Sequence, residues 1–266
     1  MYYIPESDKK IILDKYGKIP LIELKKQLSS QIPSGVLCRF VKKNGLKVNY
    51  SLSHRRYTYN ENFFDIPNIQ NSYWAGFIAA DGCLTSTKNG VKISISTLDK
   101  NILENFKSHI NFTGNIRGEI RLTKKNQLAE MSTLCIWGAV RLREMLYKHW
   151  NITPRKTYTL LPPTQINNRA LEHAYLIGFF DGDGCWRDYK INGGHKYAFQ
   201  FSGTESMMTW CKTILHDLIP EDKNIKVAKN GNYYTYSACG KRAWSIREKL
   251  NNIIDIPWRL QRKWKD

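Results

Sequence analysis

Between Asp8 and Lys43 apolar side chains recur at helical intervals, at Ile11, Ile12, Leu21, Leu24, Leu28, Val36, Leu37, Phe40 and Val41. Gly17-Lys-Ile-Pro20, Ile32-Pro33 and Asn44-Gly45 interrupt the pattern, so it predicts three short helices, Asp8–Tyr16, Leu21–Ser29 and Ser34–Lys43. The third carries Arg39, Lys42 and Lys43. A compact trio with a basic last helix suits a helix-turn-helix that lays that helix in a major groove, although a helical cap with a solvated basic face has the same pattern. The expectation is a small all-α DNA-binding segment over residues 1–48, followed by a polar, aromatic linker over 49–71. Within that linker Arg55 and Arg56, set among tyrosines, would track a phosphate backbone or merely cover a connector.

From Ser72 onward the pattern changes and repeats. Alternating segments, Val91-Lys-Ile-Ser-Ile-Ser96 and Tyr197-Ala-Phe-Gln-Phe-Ser202, read as half-buried strands. Each is followed by a helix (Lys100–Ile110; Glu205–Leu218), a further strand (Met131–Trp137; Tyr233–Cys239) and a second helix (Ala139–His149; Ala243–Asn252). Those last helices are alike, Arg141-Leu-Arg-Glu-Met-Leu146 against Ser245-Ile-Arg-Glu-Lys-Leu250, and a proline follows each, Pro154 and Pro257. The predicted fold is α+β, with two αββαββα subdomains over residues 72–160 and 161–266 related by a pseudo-twofold within one chain.

Composition narrows the partner. With 41 Lys+Arg against 23 Asp+Glu in 266 residues the formal charge is +18, and the excess runs through every third of the chain. Such a chain repels itself unless it meets a polyanion, which points to nucleic acid. The sequence has no long apolar run or signal-peptide pattern, so a soluble, intracellular protein with no membrane partner is expected. Six scattered cysteines, Cys38, Cys83, Cys135, Cys185, Cys211 and Cys239, form no CxxC pair, and reduced, partly buried thiols are expected rather than a zinc ribbon or disulfide framework.

The chemistry lies in two related segments, Trp74-Ala-Gly-Phe-Ile-Ala-Ala-Asp81-Gly82 and Leu176-Ile-Gly-Phe-Phe-Asp-Gly-Asp183-Gly184, whose final aspartates are 102 residues apart. Gly76 and Ala80, like Gly178 and Gly182, are small residues four apart, so each pair gives one helix face on which another backbone can pack closely. Each helix should stop at Asp-Gly, the glycine turning left-handed and leaving the carboxylate at the tip. Pairing the helices brings Asp81 and Asp183 together at two negative dipole ends, a strain that a divalent cation would relieve.

On these residues the chain resembles the LAGLIDADG homing endonucleases, in their single-chain form, over roughly residues 72–266. The resemblance implies two curved sheets that saddle the DNA major groove. It also implies a Mg²⁺-dependent site, with Mn²⁺ or Ca²⁺ able to substitute for binding. The ligands would be Asp81, Asp183 and the main-chain carbonyls of Ala80 and Gly182, with one acid per strand cut. The family's sixth motif position, often acidic, is Ala79 in one copy and Asp181 in the other, and Asp181 is read as a capping or solvated residue. A basic residue near the start of each last helix would complete the site. Lys241 or Arg242 would serve in the second half, with Lys241 taken as the catalytic residue, whereas the first offers only Trp137-Gly138, so unequal half-sites are expected.

Base readout is assigned to Lys92, Ser94 and Ser96 on the first sheet, and to Lys196, Tyr197, Gln200 and Ser202 on the second. The hairpin residues Lys226, Lys229, Tyr234 and Tyr236 join them. Arg155-Lys156 and the closing Arg259-Leu-Gln-Arg-Lys-Trp264 are assigned to phosphates. The expected activity is a monomeric nuclease making a staggered cut in double-stranded DNA at a long target. The alternative is a non-catalytic DNA-binding regulator, or a maturase acting on intron RNA, on the same scaffold.

Overall fold

The computed structural model describes residues 3–47, 57–86, 89–123, 126–163, 165–191, 194–220 and 225–264. The chain divides into two compact units, residues 1–60 with 111–114, and 61–110 with 115–266. In the first unit the three predicted helices are present as α1 (Glu6–Lys15), α2 (Leu21–Gln27) and α3 (Ser34–Lys43). Each is entered from a proline, Pro5, Pro20 or Pro33, whose fixed φ suits the approach to a helix. Ile4, Ile12, Ile32, Leu37 and Val41 make their shared core. Asp8, fully buried, accepts from the backbone N–H and hydroxyl of both Ser29 and Ser30, tying α1 to the turn before α3.

The second unit contains the duplication. Its first half runs α4 (Ile69–Asp81), β1 (Gly82–Thr85), β2 (Gly90–Ser96), α5 (Lys100–His109), β3 (Arg117–Leu122), β4 (Leu128–Ile136) and α6 (Val140–Trp150). The second half runs α7 (Arg169–Asp183), β5 (Cys185–Ile191), β6 (Gly194–Gly203), α8 (Glu205–Leu218), β7 (Val227–Asn230), β8 (Tyr233–Cys239) and α9 (Lys241–Ile253). Each half forms one four-stranded antiparallel sheet, ordered β1-β2-β4-β3 and β5-β6-β8-β7. The α+β class and the αββαββα order are therefore as expected.

Register decides which side chains share a face. Ile93 pairs with Leu134, and Val91 with Ile136; all four are fully buried. In the second sheet Phe199 and Phe201 lie inward opposite Ala238 and Tyr236. Residues 57–71, expected to belong to a linker, include three buried aromatic side chains, Tyr59, Phe63 and Phe64. Phe63 is buried, and Phe64, fully buried, packs edge-on against Trp150, so the aromatic character of this stretch reflects packing.

Candidate active site

Helices α4 and α7 pack along their small-residue faces. A Cβ on Gly76 would run into the main-chain carbonyl of Tyr175, a Cβ on Gly178 into that of Tyr73, and a Cβ on Gly182 into the side chain of Ala80. The three contacts are close to symmetric, and glycine is required at each by proximity. The helices start from side-chain caps: Asn68 and Asn71 form a reciprocal capping box on α4, and Asn168 accepts from the N–H groups of Ala170 and Leu171 on α7.

Both helices end in an aspartate, but the expected left-handed glycine is absent. Gly82 has φ −81° and ψ 163°, and Gly184 φ −77° and ψ 153°, extended values any residue adopts. The glycines are needed for room: a Cβ on Gly82 would lie 2.6 Å from the Ile78 carbonyl oxygen, and one on Gly184 would clash with Phe180. The chain thus passes straight from helix into strand, leaving each acid at the junction.

Asp81 and Asp183 are both exposed to solvent at this junction, although protein crowds around them. Desolvation raises Asp81 to about 6, with the charge of Asp183 adding to the push and Lys263 and Lys156 opposing it. Desolvation also raises Asp183, against Lys156 and Lys263. A recess of about 220 Å³ beside Asp81 is lined in part by Ser94, Ser96, Asp99 and Arg262. Another of about 340 Å³ beside Asp183 includes Ala80, Lys156, Ser202 and Thr204. Asp99 takes a bidentate contact from Arg262 at 2.8 and 2.9 Å, a pair peculiar to the Asp81 side.

The basic partners are not where the sequence suggested. Lys241 is exposed at the first turn of α9 and is not among the charges that shift either acid. Instead Lys156, in the turn after α6, donates to the Ala80 carbonyl at 2.7 Å. Lys263, in the turn after α9, donates to the carbonyls of Phe180, Asp181, Gly182 and Gly184 at 2.9, 2.6, 3.2 and 2.6 Å. Burial holds both lysines below the usual ammonium range. They thus satisfy helix-end carbonyls and offset the negative dipoles. Lys156 and Lys263, assigned to phosphates from the sequence, turn inward to these carbonyls, and both act on the charge of each acid.

Asp181 is neither a cap nor solvated. It is buried and accepts from the Tyr73 hydroxyl at 2.7 Å, the Leu260 N–H at 2.8 Å and the Trp264 indole N–H at 2.6 Å. It therefore binds α4 and the C-terminal segment to α7, a link with no counterpart at Ala79. Burial raises its carboxyl to about 6 against these donors. Among the described residues no three His, Cys, Asp or Glu side chains cluster as a metal site. The oxygen donors at the helix tips are two carboxylates and the carbonyls of Ala80 and Gly182, and each carbonyl keeps a second lone pair beyond its lysine.

Away from the tips, Lys92, Ser94 and Ser96 share the outer face of the first sheet, with Arg117, Glu119 and Arg121 on β3 beside them. Lys196, Gln200 and Ser202 share the outer face of the second, where Arg187 and Tyr189 join them. Tyr197 cannot lie on the same face as Lys196, its chain neighbour. It is on the helix side, stacked on Trp186 with centroids 5.6 Å apart. Tyr236 is fully buried against Phe201, and Tyr234 bonds to Glu205 of α8. Lys229, paired with Tyr234, follows it to the helix side, while Lys226 is exposed just before β7. Arg39, Lys42 and Lys43 are exposed on α3. Arg55 and Arg56 lie outside the described residues. All six cysteines are free, with Cys38, Cys83 and Cys239 exposed.

No family model matches the sequence, and no curated protein matches it. Solved structures do. The homing endonuclease I-WcaI bound to its DNA recognition sequence is similar at 15% identity and a TM-score of 0.49, over 90% of this chain and 97% of that one. The LAGLIDADG meganuclease I-AabMI bound to uncleaved DNA is similar at 14% identity and 0.41, over 69% and 83%. The N-terminal LAGLIDADG domain of DUF199/WhiA is similar at 14% and 0.45, over 74% and 90%. The structural neighbours are thus LAGLIDADG proteins, homing endonucleases among them. At such identities and superpositions the likeness is descriptive, and function has to follow from this chain's own residues. Among the described residues no helix is long and apolar enough to cross a membrane.

Proposed function

We propose that this chain is a LAGLIDADG-type endonuclease that cleaves double-stranded DNA at a long, specific site by metal-dependent phosphodiester hydrolysis, giving a staggered cut. The observation that carries the reading is the acid pair: Asp81 and Asp183 at the ends of two helices packed through Gly76 and Gly178, both desolvated, with Asp81 raised to about 6 partly by the charge of its partner. A pure DNA-binding protein has no use for two carboxylates held against their own repulsion. A hard divalent cation has, because it prefers oxygen ligands and cancels that repulsion.

The donors fit Mg²⁺: Asp81 and Asp183 would hold it, with the carbonyls of Ala80 and Gly182. When bound, the metal polarises the scissile phosphate and eases formation of hydroxide from water. Lys156 and Lys263 fix the orientation of the helix-end carbonyls and place positive charge beside the phosphate as charge builds on it. The outer sheet faces hold the duplex in register. Since both acids come from one chain, a monomer suffices. The half-sites are unequal: Lys263 holds the end of α7, which Asp181 braces, while Lys156 holds the end of α4, and the Asp99–Arg262 pair lies beside Asp81.

The test is to incubate purified protein with a randomised duplex library and Mg²⁺ and sequence the cut ends. Recovered ends sharing one target support the reading. Tight, selective binding with no cleavage in Mg²⁺ or Mn²⁺ overturns it in favour of a regulator or maturase.

A further inference from the structure

Among the described strand residues Glu119 is the one carboxylate on either outer sheet face. On a chain of charge +18 that binds a polyanion, an acid at that position lowers affinity for phosphate everywhere. It does not serve the fold in compensation, since its partners are half-exposed and exposed ion pairs contribute little.

Its geometry gives it a different use. One oxygen, Oε2, accepts from Arg121 Nε at 3.1 Å and Arg121 Nη2 at 2.7 Å; the other, Oε1, is 3.9 Å from Lys92 Nζ. These contacts hold the Glu119 carboxyl below its usual range, so it is ionised at neutral pH. The Arg121 guanidinium is left with its Nη1 edge unclaimed by Glu119, which joins Arg121 of the edge strand β3 to Lys92 of β2 across β4.

Resting on the duplex-binding reading above, we propose that Glu119 is a specificity-determining positioning residue. It trades phosphate affinity for base discrimination by aiming Arg121 and Lys92 at a guanine in the half-site under the first sheet. Arginine and lysine pair with guanine O6 and N7 in the major groove, and a neighbouring carboxylate also penalises a register in which a phosphate takes that place.

The experiment compares wild type, Glu119→Gln and Glu130→Gln by selection from a randomised duplex library, with affinity for random duplex measured across salt and a thermal melt for each protein. Glu130 is a fair control, because it pairs with Ile120 on the opposite face of the same hairpin. Glu119→Gln should bind random duplex about three- to ten-fold tighter. It should also lose at least about five-fold of the preference for guanine at one position. Glu130→Gln should keep the base preference. If Glu119→Gln keeps it too, or weakens binding, the proposal is wrong. If wild type selects no sequence at all, the duplex-binding reading falls first. An unchanged melting temperature in Glu119→Gln separates loss of aim from loss of fold.

Discussion

At the scale of single residues the site is a balance of charges crowded together at a solvent-facing junction. The Asp81 carboxyl, ordinarily near 3.8, is raised to about 6 in the folded protein. The folded state therefore grips the proton more tightly than the unfolded chain, and the stability linked to this group falls as pH rises from about 4 through 6. In chelator, Asp81→Asn removes that loss. Differential scanning across pH should show its melting temperature about 2–4 °C above wild type at pH 7, the gap closing below pH 4. The lysines give a second contrast. Lys263→Met strips four carbonyls of a shared donor and should cost about 1–3 kcal/mol in denaturant unfolding, while Lys241→Ala should stay within about 0.5 kcal/mol. The acids were legible because they close a repeated motif. The lysines were not: each bonds main-chain oxygens on a helix 76 to 83 residues earlier in the chain, and such a bond leaves no local pattern. Asp181 misled for the opposite reason, since a carboxylate in a motif looks solvated until Tyr73, Leu260 and Trp264 are seen converging on it.

At the scale of elements, close approach of α4 and α7 sets where the acids sit. Gly76→Ala forces a methyl against the Tyr175 carbonyl and should cost about 3 kcal/mol or more, beyond ordinary overpacking because main chain cannot turn aside. Gly35→Ala on α3 meets nothing within 4 Å and should leave stability unchanged or raise it by up to about 1 kcal/mol. Thermal unfolding of the two variants separates packing from helix propensity. The small-residue spacing announced this pairing, strands β2 and β6 were visible by alternation, and β4 and β8 as the further strand of each half. Strand β3 was not, because nearly all its side chains are exposed and a strand without a buried face has no period to read. The same alternation left the outward face undetermined, which is why Tyr197, Tyr234 and Tyr236 were assigned to DNA although they pack against helices or core.

At the scale of the whole molecule the duplication explains how one chain presents two acids, and its imperfections explain why they are not equivalent. The 102-residue offset between Asp81 and Asp183 made the repeat plain in the sequence. The way the copies diverge lies in Asp181, Lys263 and the Asp99–Arg262 pair, which only the folded chain assembles. Because the proposed function gives each acid one strand to cut, the most direct measurement is a strand-resolved cleavage assay on a target selected by the protein, in Mg²⁺, comparing wild type with Asp81→Asn and Asp183→Asn. Wild type should cut both strands, and each variant should bind as tightly yet fail to make the double-strand cut. Variants that bind equally and still cut both strands at the wild-type rate would contradict the account.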